Sequence, residues 1–143
     1  MTDLNKTVDR NTKLWIAVGA ISAAVAVAIG AVGAHGLEKM IADMDDVPKR
    51  VANWSTGFRY QMYHSIGLIL VGILMALFGA RKFFTVAAMA MIGGIILFSG
   101  CLYGWVFTDE STLVHIVPLG GLSFIVSWVC VALGVLLGRK NSG

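Results

Sequence analysis

Three histidines, His35, His64 and His115, are the residues of this chain best suited to chemistry. An imidazole changes protonation near neutral pH, so it can relay protons, and it also binds zinc, copper or iron. Polar and aromatic residues near them in the sequence complete a candidate polar cluster: His35, Arg59, Tyr60, Gln61, Tyr63, His64, Tyr103 and His115. Helical i, i+4 spacing makes Tyr60 and His64 neighbours, and likewise Arg59 and Tyr63.

The spacing of these residues completes no known reactive site. No histidine pair has the i, i+4 spacing of metal ligands, and no cysteine pair or carboxylate repeat adds a ligand shell. We find no Ser–His–Asp arrangement and no phosphate-binding glycine loop, so we expect no enzyme and no cofactor. The cluster is interpreted as a structural cap, in which the histidines hydrogen-bond loop carbonyls or each other. Two alternatives stay open: a histidine-based metal or haem site at the outer-leaflet side, and passage of a small solute or proton through an oligomer.

Long apolar runs place these residues in a membrane. Hydrophobic residues make up 57% of the chain and charged residues 13%, with a mean hydropathy of +0.80. Soluble domains carry about 25% charged residues, so this surface could not be solvated on all sides. The runs are about long enough to cross a bilayer and predict four spans: residues 14–35, 58–79, 83–107 and 117–138. The sequence therefore predicts an all-α integral membrane four-helix bundle.

Residues 36–57 form the one sizeable polar connection between predicted spans. Their apolar residues have the i, i+3, i+4, i+7 spacing of an amphipathic helix: Leu37, Met40, Ile41 and Met44. The pattern resumes after Pro48 and predicts a second short interfacial helix leading into span 2. The periodicity does not decide whether that helix bends at Gly57 or runs straight through. Pro118 predicts the start of the regular part of span 4, because proline suits a first helical turn.

Charges beside the spans predict the orientation. Seven lysines and arginines lie in the polar tails, residues 1–13 and 139–143, and in the turn between spans 2 and 3. Four lie on the other side, in residues 36–57 and at the start of span 2. Because cytoplasmic segments carry the excess of Lys and Arg, we expect both termini in the cytoplasm of a bacterial inner membrane.

Small residues on the predicted spans indicate close helix packing. The pairs Gly100/Gly104 and Gly134/Gly138 predict either tight packing inside the bundle or a self-association surface. The expected partners are the lipid bilayer and other membrane proteins or a second copy of the chain, and not nucleic acid.

Five short motifs resemble a known family when taken in order. They are Gly33-Ala34-His35-Gly36-Leu37, Tyr60-Gln61-Met62-Tyr63-His64, Leu97-Phe98-Ser99-Gly100, Leu102-Tyr103 and Pro118-Leu119-Gly120-Gly121. The chain resembles a bacterial membrane family of unknown function, domain-of-unknown-function family 423, which is related to eukaryotic transmembrane protein 256. The resemblance implies a four-helix membrane protein and no activity. In that family a small hydroxyl or apolar residue often occupies the position of His115, so a role for His115 would be particular to this chain.

Overall fold

The computed structural model describes residues 10–79 and 81–138, and every regular element in these ranges is helical. The helices are α1 (Arg10–His35), α2 (Leu37–Met40), α3 (Val47–Phe78), α4 (Arg81–Gly94, continued by a π-helical segment at Ile95–Gly100 and a last α-helical part at Cys101–Thr108) and α5 (Ser111–Leu137). Four helical stretches are long and apolar enough to cross a membrane. The predicted all-α four-span architecture is confirmed. Of the predicted tails, residues 1–9 and 139–143 lie outside the described residues, and residues 10–13 belong to α1.

Helix α3 is the centre of the bundle. Helix α1 packs mainly along one side of α3, while α4 and α5 pack against each other and against other parts of α3. Glycines let α1 and α3 approach closely: a Cβ on Gly19 would lie 2.7 Å from the Ser65 carbonyl oxygen, and one on Gly72 would lie 3.0 Å from the Thr12 carbonyl oxygen. Such close contact holds membrane helices together because lipid tails are as apolar as the side chains, so burial alone gives no driving force.

Helix α3 is continuous through Gly57. It begins after Asp46, which has a left-handed conformation at φ 55°, and Pro48 lies in its first turn. A Cβ on Gly57 would lie 2.6 Å from Tyr103 Cε1, so this glycine makes room for a ring of α4. The second predicted interfacial helix is therefore the first part of α3, and span 2 is not a separate helix starting at residue 58.

The segment that precedes α3 packs against the bundle at one of its ends. We call this end the Arg50 end and the opposite end the Phe78 end. Leu37 and Ile41 are fully buried at the Arg50 end with Trp54, Trp105 and Val106. Of the predicted apolar face, Leu37 and Ile41 are buried by this packing and Met44 packs partly against it, whereas Met40 is exposed. Only one turn of the segment, Leu37–Met40, is a regular helix.

The fourth span begins earlier than predicted. Helix α5 starts at Ser111, and Pro118 lies inside it. Glu110 caps this start, because its Oε1 accepts hydrogen bonds from the Thr112 N–H at 3.3 Å and from the Thr112 hydroxyl at 2.9 Å. The prediction that the regular helix begins at Pro118 is wrong, since neighbouring helices let an interior proline persist in a membrane span.

The π-helical segment of α4 packs against α5 at Gly120. A Cβ on Gly120 would lie 2.9 Å from the carbonyl carbon of Leu97 and 2.8 Å from Phe98 Cβ. The absence of a side chain at Gly120 therefore lets α5 lie against the backbone of this segment. π-Helical turns inside α-helices are rare and are frequent at functional sites.

Candidate functional site

An aromatic groove opens on the outside of the bundle between α3, the π-helical segment and α5. Its volume is about 460 Å³. Its lining includes six ring-bearing residues: Tyr60, Tyr63, His64, Phe98, Phe124 and Trp128. At a rise of 1.5 Å per residue, His64 lies about 21 Å along α3 from Phe78, which is inside a hydrocarbon layer about 30 Å thick. The groove therefore belongs to the apolar part of the bundle.

His64 forms the buried floor of this groove, and its hydrogen bonds fix its tautomer. Its Nδ1 lies 2.7 Å from the Tyr60 carbonyl oxygen, and its Nε2 lies 3.3 Å from the indole Nε1 of Trp128. An indole N–H only donates, so Nε2 must accept, and the imidazole is neutral with its hydrogen on Nδ1. The ring also stacks on Phe124, with centroids 3.4 Å apart and planes 12° apart. Both ring nitrogens are thus occupied, and His64 in this state has no free position for a metal ion.

Tyr60 and Tyr63 form the rim of the groove. Their exposed fractions are 40% and 57%, and the Tyr60 ring stacks on Phe98 at a centroid distance of 4.6 Å. Within residues 10–79 and 81–138, neither phenolic hydroxyl has a hydrogen-bond partner. The groove therefore presents ring faces and two donor groups to whatever lies outside the bundle.

Gln61 and Tyr103 belong to a different network, which lies between α1, α3 and α4. The Gln61 Nε2 donates to the Ser22 carbonyl oxygen at 3.1 Å, and its Oε1 accepts from the Tyr103 hydroxyl at 2.9 Å. The Ser65 hydroxyl lies 2.6 Å from the Gln61 carbonyl oxygen and 2.7 Å from the Ser22 hydroxyl. This network links α1, α3 and α4 across the bundle. Because its members satisfy each other in a low-dielectric interior, its effect is to fix the positions of the three helices.

Arg50 connects several segments at the Arg50 end, and the sequence analysis did not identify it as a site residue. Only 5% of Arg50 is exposed, and its guanidinium lies over the Trp105 ring at 5.2 Å. It donates to the carbonyl oxygens of Asp45 and Val106, both at 2.7 Å, and lies 3.5 Å from a carboxylate oxygen of Asp109. Free carbonyls at a helix C-terminus attract cations, so Arg50 caps α4 while fastening the start of α3 to it.

The remaining members of the predicted cluster lie apart from the groove. His115 is exposed and bonds the Ser111 carbonyl oxygen of its own helix at 2.8 Å. Arg59 is also exposed and donates to the Ser55 carbonyl oxygen at 3.1 Å. His35 is exposed at the end of α1. The structure thus divides the eight residues among the aromatic groove, the Gln61 network and the exposed surface. His64 and His115 each bond a carbonyl of their own helix, and His64 also accepts from Trp128.

The four predicted packing glycines differ in their surroundings. Gly134 and Gly138 contact Phe84 and Phe78 within the bundle, where added Cβ atoms would lie 2.8 Å and 3.0 Å from ring and Cβ carbons. A Cβ on Gly104 would lie 3.0 Å from Leu113 Cδ1. Gly100 is exposed and has only a carbonyl of its own helix nearby, at 3.9 Å. In the described ranges, no three His, Cys, Asp or Glu side chains are grouped closely enough to bind a metal ion.

Comparison with known proteins places the chain in a family. Residues 29–121 match the family described as "Protein of unknown function (DUF423)". The chain belongs to the DUF423 family. The DUF423 match includes the rim tyrosines and His64, whereas Trp128 lies beyond it.

Curated relatives carry the same description. The UPF0382 membrane protein YwdK of Bacillus subtilis is 43% identical over 124 residues, which cover 87% of this chain and 97% of that protein. A UPF0382 membrane protein of Staphylococcus epidermidis is 36% identical over 87% of this chain and 96% of its own length, and one of Haemophilus influenzae is 32% identical over 84% and 91%. No solved structure matches the chain. The chain is therefore a membrane protein of a bacterial family of unknown function, and the relation to eukaryotic transmembrane protein 256 stays a prediction.

Proposed function

We propose that this chain is a non-enzymatic accessory protein of the bacterial inner membrane that binds a transmembrane helix of another protein in the aromatic groove. The observation that carries the proposal is the pair of rim hydroxyls, Tyr60 and Tyr63, beside an unfilled space of about 460 Å³. Lipid tails accept no hydrogen bonds, whereas a helix can present serine, threonine, asparagine or glutamine side chains. A polar transmembrane helix is therefore the occupant that suits both the rings and the hydroxyls.

The hydrogen bonds of other polar side chains in the spans support this proposal. Gln61 and Tyr103 bond each other, and the hydroxyls of Ser123 and Ser127 donate to the carbonyl oxygens of Ala90 and Ala87 at 2.8 Å and 2.9 Å. These groups hold helices together. The rim tyrosines are different because they face outward.

Site-specific crosslinking in native membranes tests the proposal. A photoreactive residue replaces Ile125, which lines the groove and is 62% exposed, or Ile21, which lies on α1 and is 66% exposed. We expect a discrete adduct with one membrane protein from position 125 only, and a weaker adduct when Tyr60 and Tyr63 are both changed to phenylalanine. Equal adduct patterns from both positions, or adducts unaffected by the phenylalanine changes, contradict the proposal.

We also propose that the Phe78 end, with both chain termini, faces the cytoplasm. The segments predicted to be cytoplasmic carry seven lysines and arginines and the other side carries four, and this excess supports the orientation. Single cysteines at Lys82 and Lys39, in a background with Cys101 and Cys130 changed to serine, test it with a membrane-impermeant thiol reagent. In intact spheroplasts we expect labelling at position 39 only, and labelling at position 82 would reverse the orientation.

A further inference from the structure

Three hydrogen-bond donors lie together on one face of α3, beside the aromatic groove. They are Arg59, Tyr60 and Tyr63, all exposed, and at 3.6 residues per turn Tyr63 lies between the other two around the helix. The ring centroids of Tyr60 and Tyr63 are 6.3 Å apart. Tyr63 lines both the aromatic groove and a neighbouring cavity of about 250 Å³, and Arg59 lines that cavity too. The three residues therefore form one continuous surface, which we call the donor ridge.

The donor ridge has more donors than acceptors. In the part of the chain that the structure describes, the Arg59 guanidinium makes one hydrogen bond, from its Nε to the Ser55 carbonyl oxygen at 3.1 Å, and its two terminal nitrogens have no partner. The hydroxyls of Tyr60 and Tyr63 have none within the same ranges. A guanidinium offers five N–H donors and no acceptor. A group that satisfies the ridge must therefore bring acceptor oxygens.

The depth of the ridge makes these free donors costly. At 1.5 Å per residue, Tyr63 and Arg59 lie about 23 Å and about 29 Å along α3 from Phe78, in the outer part of a hydrocarbon layer about 30 Å thick. Ionisable side chains at such depths pair with other polar groups, because lipid tails offer no acceptor. The one ion pair among the described residues joins Arg50 and Asp109, so no carboxylate of these residues neutralises Arg59.

We propose that the partner helix presents an aspartate or glutamate to the donor ridge, and that its carboxylate pairs with Arg59 beside the two tyrosine hydroxyls. This inference rests on the helix-binding function proposed above and specifies the chemistry of the partner. The two oxygens of a carboxylate match the parallel N–H groups of a guanidinium, and a carboxylate also balances its charge. An acidic residue in a membrane span is itself costly unless it is paired, so one contact stabilises both proteins.

A second copy of this chain does not suit the donor ridge. The sequence has eight aspartates and glutamates, and none of them lies in α1, α3, α4 or α5. No span of a second copy could therefore bring a carboxylate to Arg59 within the membrane. The partner is expected to be a different membrane protein, with its acidic residue near the end of its span that lies beside the Arg50 end.

The adduct formed from position 125 tests this inference through its dependence on Arg59. We expect Arg59→Gln to lower the adduct yield at limiting partner about tenfold, because hydrogen bonds to a charged group are lost. Arg59→Lys should retain part of the yield, since an ammonium keeps the charge without the planar fork of donors. The matched control is Lys39→Gln, which removes an exposed cation at the same end of the bundle but outside the ridge, and it should leave the yield unchanged.

The outcomes separate this inference from the function on which it rests. A wild-type adduct that Arg59→Gln leaves unchanged, or that both glutamine variants weaken equally, overturns the inference and leaves the helix-binding function standing. Absence of a discrete adduct from position 125 in the wild type contradicts both.

Sequencing the adduct provides the second test. We expect the captured helix to carry an aspartate or glutamate, whose change to the amide weakens the adduct in the wild type and causes no further loss in Arg59→Gln. Arg59→Glu should weaken the adduct, and an arginine at the partner's acidic position should restore it. A captured helix without an acidic residue, additive losses in the two proteins, or an adduct between two copies of this chain overturns the inference.

Reconstitution distinguishes a carboxylate of the partner from a lipid phosphate. The purified chain and its captured partner are placed in phosphatidylcholine vesicles with and without phosphatidylglycerol. We expect Arg59→Gln to lower the adduct yield equally in the two lipid mixtures. An effect of Arg59→Gln that is confined to vesicles with phosphatidylglycerol would assign the guanidinium to a lipid headgroup and overturn the inference.

Discussion

Replacing Arg50 with methionine should destabilise this protein more than any other single change of a charged residue in its described part. Arg50→Met keeps a long apolar stem but removes two hydrogen bonds of 2.7 Å, to the carbonyl oxygens of Asp45 and Val106. Hydrogen bonds to a charged group contribute about 1.5–3 kcal/mol each, and a buried carbonyl loses its partner when the donor is removed. The ion pair with Asp109 adds little, because that carboxylate is exposed. We expect the free energy of unfolding to fall by about 3 kcal/mol.

Equilibrium unfolding in mild detergent with increasing sodium dodecyl sulfate measures this change. Tryptophan fluorescence is a suitable signal, because Trp54 and Trp105 are both buried at the Arg50 end. The matched control is Arg59→Met, which removes an exposed arginine bonded only to its own helix in the described structure and should change stability by less than about 0.5 kcal/mol. Arg50→Lys should lie between the two, since an ammonium keeps the charge but lacks the planar fork of donors.

The reasoning is refuted if Arg50→Met and Arg59→Met reduce the free energy of unfolding equally. That result would mean that the charge at the surface of the bundle matters and the carbonyl contacts do not.

Three further changes test other contacts. Tyr103→Phe removes the hydroxyl that bonds Gln61 Oε1 and should lower the free energy of unfolding by about 1 kcal/mol in the same titration; no change would mean that the amide finds another donor. Gly120→Ala should lower it by about 2 kcal/mol or more, because the new Cβ overlaps the backbone of the π-helical segment, whereas Gly100→Ala, in open space, should be tolerated. The hydrogen bonds that Glu110 accepts at the start of α5 lower the pKa of its carboxylate. Its charged form therefore stabilises the fold above its ordinary pKa, and this contribution is lost as the pH falls through the lowered value. The protection factors of amides in the first turn of α5, corrected for the intrinsic exchange rate at each pH, should therefore fall over this range in the wild type and not in Glu110→Gln.

The four spans could be predicted from the sequence because hydrocarbon selects for length and apolarity, which are local properties. How far along the bundle axis a residue lies can be predicted in the same way, by counting residues along its helix. Which neighbouring helix its side chain faces cannot be predicted so, because that depends on how the helices pack around one another. His64 faces α5 and is buried, while Arg59 and His115, at comparable positions on apolar spans, are exposed.

Arg50 shows the same limitation more strongly. In the sequence it is one of several basic residues beside a span, and it contributes to the prediction of orientation only. Its carbonyl partners on Trp105 and Val106 are 55 and 56 positions away in the chain. Nothing local predicts such a contact, although the burial of Trp54 one turn farther along α3 places both residues on the same face. The π-helical segment likewise has no local signature, since Gly120 on another helix is what lies against its backbone.

The uninterrupted course of α3 relates the protein to the thickness of its membrane. A helix of 32 residues is about 48 Å long, against about 30 Å of hydrocarbon, so roughly 18 Å must protrude or be accommodated by tilt. Because α1 and α4 are both fastened to this helix, the whole bundle must lean with it. A thin bilayer would incline the molecule and a thick one would set it upright, and the orientation of its outward faces would change with the lipids around it.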